Sequence, residues 1–182
     1  TYMKMGEVGV GLGAGVKDLK EGQRVAVSPS RPCGSCTYSQ EGMQNHCLNM
    51  RFYGSAMPFP HIQGAFRERL TADASQCVPT TLSAGEAAMA EPLAVVLHAA
   101  KQAGDLAGKR VLVTGCGPIG LLAVLVARSA GAVEVVATDI ADFPLSMALK
   151  VGADRAENVS AKPDVLEEYT ANKGHFHVQF EC

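Results

Sequence analysis

The chain has 182 residues, of which 47% are hydrophobic and 19% charged, as in an ordinary globular protein with a sizeable core. Sixteen basic and eighteen acidic residues give a net charge of -2, which argues against nucleic acid or an anionic membrane surface as a partner. The longest apolar run, residues 121–127, is too short to span a bilayer, and no leader segment precedes Thr1. We therefore expect a cytoplasmic protein that does not enter membranes.

The first half of the chain has the pattern of short strands, turns and one long loop. Residues 25–27 are predicted as a strand, because the segment 18–23 before them has turn-forming residues. Residues 30–64 contain three cysteines and show no sustained helical period, so we expect a long excursion from the sheet. Residues 65–70 are predicted as a further strand.

Helices and strands alternate in the second half. Ser83 and Glu86 have the spacing of a capping box before a short helix, and Glu91-Pro92 is predicted to start another, with proline at its first position. Strands are predicted at residues 110–114, 133–138, 156–159 and 176–180, and helices at 119–130, 145–151 and 165–172. This alternation predicts a doubly wound parallel sheet, so the fold class is α/β plus β, with domains at residues 1–90 and 91–182.

A glycine fingerprint, Gly115-x-Gly117-x-x-Gly120, lies directly between an apolar strand and an apolar helix. In a dinucleotide-binding turn the first glycine permits the tight turn, the second lets a pyrophosphate approach, and the third lets helix and strand pack closely. Pro118 and Ile119 open the helix, whose free N–H groups attract phosphate. The glycines alone could mean only a tight turn, but the strand before them, the helix after them and the carboxylate of Asp139 together favour dinucleotide binding. A related fold binds S-adenosylmethionine with a similar loop, and the G-x-G-x-x-G spacing argues against it.

Asp139 ends the second predicted strand of this half, 19 residues after Gly120. A carboxylate at this place accepts hydrogen bonds from both adenosine ribose hydroxyls and repels a 2'-phosphate, which favours NAD over NADP. Asp139 could instead be a turn residue at a strand end.

The cysteines divide into a cluster and three single residues. Cys33, Cys36 and Cys47 follow the spacing C-x2-C-x2-S-x7-C, in which Ser39 takes the place of a fourth cysteine. Clustered cysteines in a chain without a secretory signal favour a metal over disulfides, and this spacing suits zinc. The other three, Cys77, Cys116 and Cys182, are predicted to be small buried residues.

Several segments together carry a resemblance to a known family. They are residues 28–34, 45–55, 64–68, 91–95 and 117–120, added to the cysteine loop and the glycine fingerprint. These segments resemble the zinc-containing medium-chain dehydrogenases, in particular the sorbitol and L-idonate dehydrogenase branch. The resemblance runs from about residue 9 to residue 182.

This resemblance implies an incomplete GroES-like catalytic domain followed by the first half of a Rossmann domain. It implies zinc and NAD as cofactors, and oxidation of a secondary hydroxyl of a sugar acid or polyol in a dimeric or tetrameric parent enzyme. The family's structural zinc uses four thiolates, three of which correspond to Cys33, Cys36 and Cys47. Ser39 replaces the fourth, so His46, Glu41 or water would have to complete the site, or the loop is metal-free.

Glu91 corresponds to a family position at or beside the catalytic zinc, where it binds the metal or holds its water. A second explanation is that its carboxylate favours a helix N-terminus. His61 is considered a possible substrate-side residue, and His98 a packed helix residue. Tyr53 corresponds to a cleft-lining position in the branch, although a loop tyrosine more often serves packing.

Two parts of the family pattern are not found in the sequence. The first part is the catalytic cysteine together with the Gly-His-Glu motif, because residues 5–8 resemble Gly-His-Glu-Val but lack its histidine. The second part is the second half of the dinucleotide fold. We therefore expect a fragment of a longer enzyme that has little activity alone. A zinc-free quinone-oxidoreductase-type reductase and a non-catalytic NAD-binding remnant are the alternatives; Glu91 and the cysteine loop oppose the first, whereas Ser39 supports the second.

Overall fold

The structure, a computed structural model, describes residues 11–182, and these form two compact units that divide between Glu91 and Pro92. Residues 5–8, with their partial resemblance to Gly-His-Glu-Val, lie outside the described residues. None of the helices within residues 11–182 has both the length and the apolar character that crossing a bilayer requires.

Within residues 11–91, the first unit contains two small antiparallel strand pairs. Strand β1 (Val25–Val27) pairs with β4 (Cys77–Pro79), and β2 (Ser30–Arg31) pairs with β3 (Arg51–Phe52). The cysteine loop leaves the unit after β2 and returns at β3, and within it α1 (Thr37–Gln40) forms a single helical turn. The predicted strand at residues 25–27 is therefore confirmed.

A buried glutamine supports the start of the cysteine loop. The side chain of Gln76 is only 4% exposed, and its amide nitrogen donates hydrogen bonds to the carbonyl oxygens of Ser28 and Ser30, at 2.9 and 3.1 Å. Beside it, Arg31 forms an ion pair with Asp73, with 2.6 Å between Nε and Oδ2. These contacts attach the segment before the loop to the segment before β4.

The predicted strand at residues 65–70 is wrong. Only Ala65 in this stretch is buried, and the N–H of Arg67 donates to the carbonyl oxygen of Ala65 in a tight turn. A strand with one buried face would show alternating burial, whereas the four residues that follow Ala65 are all exposed.

Two consecutive helices connect the units, α2 (Ala84–Ala88) and α3 (Ala90–Ala103). The capping box is confirmed, because the Ser83 hydroxyl accepts the N–H of Glu86 while the Glu86 carboxylate accepts the N–H of Ser83. Pro92 is the third residue of α3, whereas it was predicted at the first position of the helix. A proline ring clashes with the carbonyl four residues earlier and lacks an N–H, which accounts for the interruption between the helices at Met89.

The second unit contains a four-stranded parallel sheet in the order β7-β6-β5-β8. Its strands are β5 (Arg110–Thr114), β6 (Glu134–Asp139), β7 (Arg155–Asn158) and β8 (Val178–Glu181). The crossover helices are α4 (Pro118–Ser129) and α5 (Asp142–Lys150). The predicted parallel sheet is confirmed, with boundaries that differ by up to three residues.

The two faces of the sheet bury different partners. The main core joins α3, α4 and α5 to one face, where Val111, Val113 and Val135 are fully buried. On the other face Leu112 and Val136 pack against Tyr169 from the crossover between β7 and β8. The central strands β5 and β6 are buried on both sides, and each contains a continuous apolar run, as is typical of parallel sheets.

The predicted α-helix at residues 165–172 is wrong. The segment forms two 3₁₀ turns, Pro163–Tyr169 and Ala171–Lys173, instead. Asn172 and Lys173 have left-handed backbone angles, with φ of 54° and 73°, and a right-handed helix cannot continue through such residues.

Arg128, at the end of α4, holds three parts of the second unit together. Its guanidinium donates to the carbonyl oxygens of Gly152 and Ala132, at 2.6 and 3.2 Å, and forms an ion pair with Asp154. The other carboxylate oxygen of Asp154 accepts the N–H of Val135 at 2.7 Å. The end of α4, the start of β6 and the turn before β7 are therefore linked through one side chain.

Replacing Arg128 by methionine should lower the free energy of unfolding by about 2–3 kcal/mol, because a charge-assisted network of hydrogen bonds is lost. The matched control is Arg155→Met, which removes ion pairs to Glu157 and Glu168 and should cost at most about 1 kcal/mol. Urea denaturation followed by circular dichroism measures both, and equal losses would contradict the role of Arg128.

Candidate cofactor and metal sites

The turn between β5 and α4 packs its backbone unusually closely. Gly115 has a φ of +89°, and a Cβ at this position would overlap the carbonyl oxygen of Cys182. A Cβ at Gly120 would overlap the carbonyl oxygen of Gly115. Both glycines are therefore required by the fold, the first for the turn and the second for the approach of the helix to the strand.

Gly117 differs from the other two glycines of the fingerprint. Its φ is -66°, a value that any residue adopts, and a Cβ at this position would meet no protein atom within 4 Å. The fold itself therefore does not require glycine here. The open space lies at the N-cap of α4, where Pro118 lacks an N–H and those of Ile119 and Gly120 are the free donors of the first turn.

Asp139 connects this turn to the end of β6. One carboxylate oxygen accepts the N–H of Cys116 at 2.7 Å, and the other accepts those of Ile140 and Ala141 at 2.7 and 3.0 Å. These backbone donors, that of Cys116 foremost, lower the pKa of Asp139 below its ordinary value, so the carboxylate stays charged. The sequence placed Asp139 near the fingerprint but gave no sign of its bond to Cys116.

The glycine turn lies where the strand order reverses. In the sheet the strands lie in the order β7, β6, β5 and β8, so the chain runs from β5 to β6 and β7 on one side and places β8 on the other side of β5. In open parallel sheets a ligand binds at the carboxyl ends of the strands at such a switch point. Gly115 and Cys182, which follow β5 and β8, mark this point in the described residues.

The single cysteines differ from the prediction. Cys116 is buried as expected, and burial raises the pKa of its thiol to about 11. Cys77 is only partly buried, and Cys182 is exposed, so the prediction is wrong for Cys182.

The three clustered cysteines converge within the loop between β2 and β3. The sulfurs of Cys33, Cys36 and Cys47 lie within 4.8 Å of one another, with 4.0 Å between those of Cys36 and Cys47. A tetrahedral zinc with Zn–S bonds of about 2.3 Å needs sulfurs about 3.8 Å apart. Three converging thiols fit a zinc ion, and within residues 11–182 no other group of three such side chains does.

Hydrogen-bond donors surround the sulfur of Cys33. The N–H and hydroxyl of Ser35, followed by the N–H of Cys36, lower the pKa of the Cys33 thiol to about 5. The pKa of Cys36 is lowered too, chiefly by the hydroxyl of Ser39. Donors directed at sulfur stabilise thiolates, which are the form that binds metal. Gly34, with a φ of +71°, allows the backbone to turn these N–H groups toward Cys33.

Ser39 lies among the three cysteines. Its Oγ is 3.3 Å from the sulfur of Cys36 and 3.8 Å from that of Cys33. The two residues considered as substitutes for the fourth ligand lie outside this cluster. His46 is exposed, and its ring centroid is 6.0 Å from that of Tyr38, while Glu41 is also exposed. The sequence identified Ser39 as the missing cysteine, but only the structure shows its hydroxyl beside the thiols.

The other predicted site residues are not brought together. Glu91 lies half-buried in the first turn of α3, and no group of metal ligands within residues 11–182 includes it. His61 is exposed, with Nδ1 at 3.1 Å from the carbonyl oxygen of Pro58. His98 is exposed on α3, so its prediction as a packed residue is wrong. Tyr53 packs in the small core of the first unit and donates to the carbonyl oxygen of Thr71.

Two protein-family models match the chain. The model of the alcohol dehydrogenase GroES-like domain matches residues 4–84, and the model of the zinc-binding dehydrogenases matches residues 118–182. The first match contains the cysteine loop, and the second begins at the first residue of α4. Together they cover most of the chain.

Individual relatives agree with these models. L-Idonate 5-dehydrogenase (NAD(P)(+)) from Escherichia coli K12 is 48% identical over 166 residues, which is 90% of this chain and 48% of the relative. Sorbitol dehydrogenase from Bacillus subtilis is 36% identical over 159 residues, 86% of this chain and 44% of the relative. The chain thus spans about half the length of the curated relatives it matches.

Solved structures share the fold. The crystal structure of the Escherichia coli L-idonate 5-dehydrogenase superposes with a TM-score of 0.85 at 46% identity, covering 91% of this chain and 48% of that one. A putative zinc-binding dehydrogenase from Sinorhizobium meliloti, bound to NADP, gives a TM-score of 0.85 at 34% identity, covering 96% and 51%. With its GroES-like segment, cysteine loop and parallel sheet, the chain belongs to the zinc-containing medium-chain dehydrogenase family, in the branch of the sorbitol and L-idonate dehydrogenases.

Proposed function

We propose that this chain forms part of an NAD-dependent dehydrogenase that oxidises a secondary hydroxyl of a sugar acid or polyol, as L-idonate 5-dehydrogenases do. The observation that carries the proposal is the open space at Gly117 beside the Asp139 carboxylate, at the point where the strand order reverses. The identity to L-idonate 5-dehydrogenase supports the substrate class.

We assign the cofactor contacts to the turn after β5 and the end of β6. Gly117, Pro118 and Ile119 let the pyrophosphate approach the start of α4, while Gly115 and Gly120 hold the turn in shape. Asp139 accepts the adenosine ribose hydroxyls, and its negative charge favours NAD over NADP. When bound, the nicotinamide ring supplies the hydride acceptor.

We further propose that residues 1–90 form the GroES-like catalytic domain and residues 91–182 the dinucleotide-binding domain. Cys33, Cys36 and Cys47 hold a structural zinc, supported by their convergence within 4.8 Å. Glu91 acts at or beside the catalytic zinc, supported by its half-buried place in the first turn of α3 and by the family pattern. If bound there, a zinc ion would supply Lewis acidity to the alcohol.

The proposal also includes the cellular location, the assembly and the partners of the protein. A cytoplasmic location is supported by the six cysteines, all of which are free thiols. Assembly of the parent enzyme into a dimer or tetramer is proposed from the family resemblance alone. Small-molecule substrates, not nucleic acid or membranes, are the partners that a net charge of -2 favours.

The activity is tested on the parent protein with a panel of alcohols and NAD. L-Idonate should be oxidised with the highest kcat/KM, sorbitol and xylitol at lower values, and ethanol at least about 100-fold more slowly, since binding energy from the remote hydroxyls is lost. Absorbance of the reduced cofactor measures the rates. NAD binding without turnover of any of these alcohols would instead indicate a non-catalytic remnant.

The role of Gly117 is tested by comparing two glycine substitutions. Gly117→Ala should leave the melting temperature within about 2 °C of the wild type, because its Cβ meets no protein atom, yet weaken NAD binding about tenfold or more by obstructing the pyrophosphate. Gly120→Ala is the contrasting variant and should destabilise the second unit itself. Calorimetric titration and thermal melting separate these effects, and unchanged NAD affinity in a folded Gly117→Ala variant would exclude this site.

The preference for NAD is tested at Asp139. Asp139→Asn should lower the ratio of the NADP and NAD dissociation constants about tenfold, because the repulsion of the 2'-phosphate is lost. Asp142→Asn is the matched control, since it removes a charge three residues away that bonds Asn158 and not the glycine turn. Equal shifts in both variants would show a general effect of charge and refute ribose recognition by Asp139.

A further inference from the structure

We infer that the hydroxyl of Ser39 is the fourth ligand of the metal held by Cys33, Cys36 and Cys47, which makes this a centre with three thiolates and one oxygen. The inference rests on the proposed metal site and adds the identity of its fourth ligand. It distinguishes this chain from the four-thiolate pattern of its family, where the corresponding ligand is a cysteine.

The distances fit such a centre. With a Zn–S bond of about 2.3 Å and a Zn–O bond of about 2.1 Å, tetrahedral geometry places the oxygen about 3.6 Å from each sulfur. The Ser39 Oγ lies 3.3 Å from the Cys36 sulfur and 3.8 Å from the Cys33 sulfur. The 4.0 Å between the sulfurs of Cys36 and Cys47 is likewise close to the separation that a shared zinc needs.

The surrounding fold directs the Ser39 oxygen toward the metal position. Ser39 lies on the single turn α1, which begins directly after Cys36, and the N–H of Gln40 bonds the carbonyl oxygen of Cys36 at 3.0 Å. The Ser39 oxygen lies within hydrogen-bond distance of the Cys36 sulfur and therefore already faces the thiols. Ser39 is partly buried, whereas Glu41 and His46 are exposed and outside the cluster.

Three thiolates and one hydroxyl should bind a metal ion less tightly than four thiolates. A neutral hydroxyl donates less electron density than a thiolate, so zinc should bind more weakly and exchange faster than at a four-thiolate site. The complex also carries one negative charge less, because three thiolates and a divalent ion leave -1 where four would leave -2. The loop therefore holds a metal ion that chelators remove easily.

Cobalt(II) titration of the purified chain tests the assignment, since cobalt reports the ligand set through its visible spectrum. Wild type should show tetrahedral d–d bands with thiolate charge transfer. Ser39→Ala should raise the cobalt dissociation constant about tenfold and change the d–d bands. Ser39→Cys should bind more tightly, with charge transfer stronger by about one-third, because four thiolates replace three. Zinc stoichiometry and resistance of the loop to proteolysis should rise in the same variant.

The controls are His46→Ala and Glu41→Gln, which should bind cobalt with wild-type affinity and spectrum. Circular dichroism establishes that each variant is folded. A folded Ser39→Ala variant with an unchanged spectrum and affinity would overturn the assignment, as would loss of the tetrahedral bands in either control. A folded wild-type chain that binds neither cobalt nor zinc would refute the metal site as a whole, while the dinucleotide proposal would be unaffected.

Discussion

The close approach of backbone segments after β5 is the constraint on which the second unit depends. Side chains at Gly115 or Gly120 would overlap carbonyl oxygens, so α4 can begin against the sheet only because neither residue has one. Asp139 adds a carboxylate that bonds the N–H groups of both crossover turns. The fold thereby brings a helix N-terminus, an open glycine and a negative charge to the switch point of the sheet, which is the arrangement that a dinucleotide requires.

The first unit depends on a different interaction, the convergence of polar donors and sulfurs in the cysteine loop. In the described part of this unit the strand pairs are only two or three residues long and few side chains are buried, so a loop of this length needs an internal link. Gln76 holds the chain at the start of the loop, and the thiols with Ser39 gather its interior. A metal at that place would contribute to folding directly, since it links residues from Cys33 to Cys47.

Sequence patterns predicted the parallel sheet well, because strands buried on both faces are continuous apolar runs and the fingerprint fixes the first crossover. They failed where local signals compete with tertiary context. Residues 65–70 resemble a strand but contain a tight turn from Ala65 to Arg67, and residues 165–172 resemble a helix that the left-handed backbone at Asn172 ends. The spacing of the cysteines and glycines predicted which kinds of ligand this chain binds. It could not predict the position of the Ser39 hydroxyl or the hydrogen bond from Cys116 to Asp139, because both depend on three-dimensional geometry.

The proposed dinucleotide site is the turn between β5 and α4. Nuclear magnetic resonance of the isotope-labelled chain, titrated with ADP-ribose, tests this residue by residue. We expect the largest shifts of backbone amide signals at Cys116, Gly117, Ile119 and Gly120, with smaller ones at Ile140 and Ala141 after Asp139. Saturable shifts confined to other residues, or none at millimolar ligand, would contradict it.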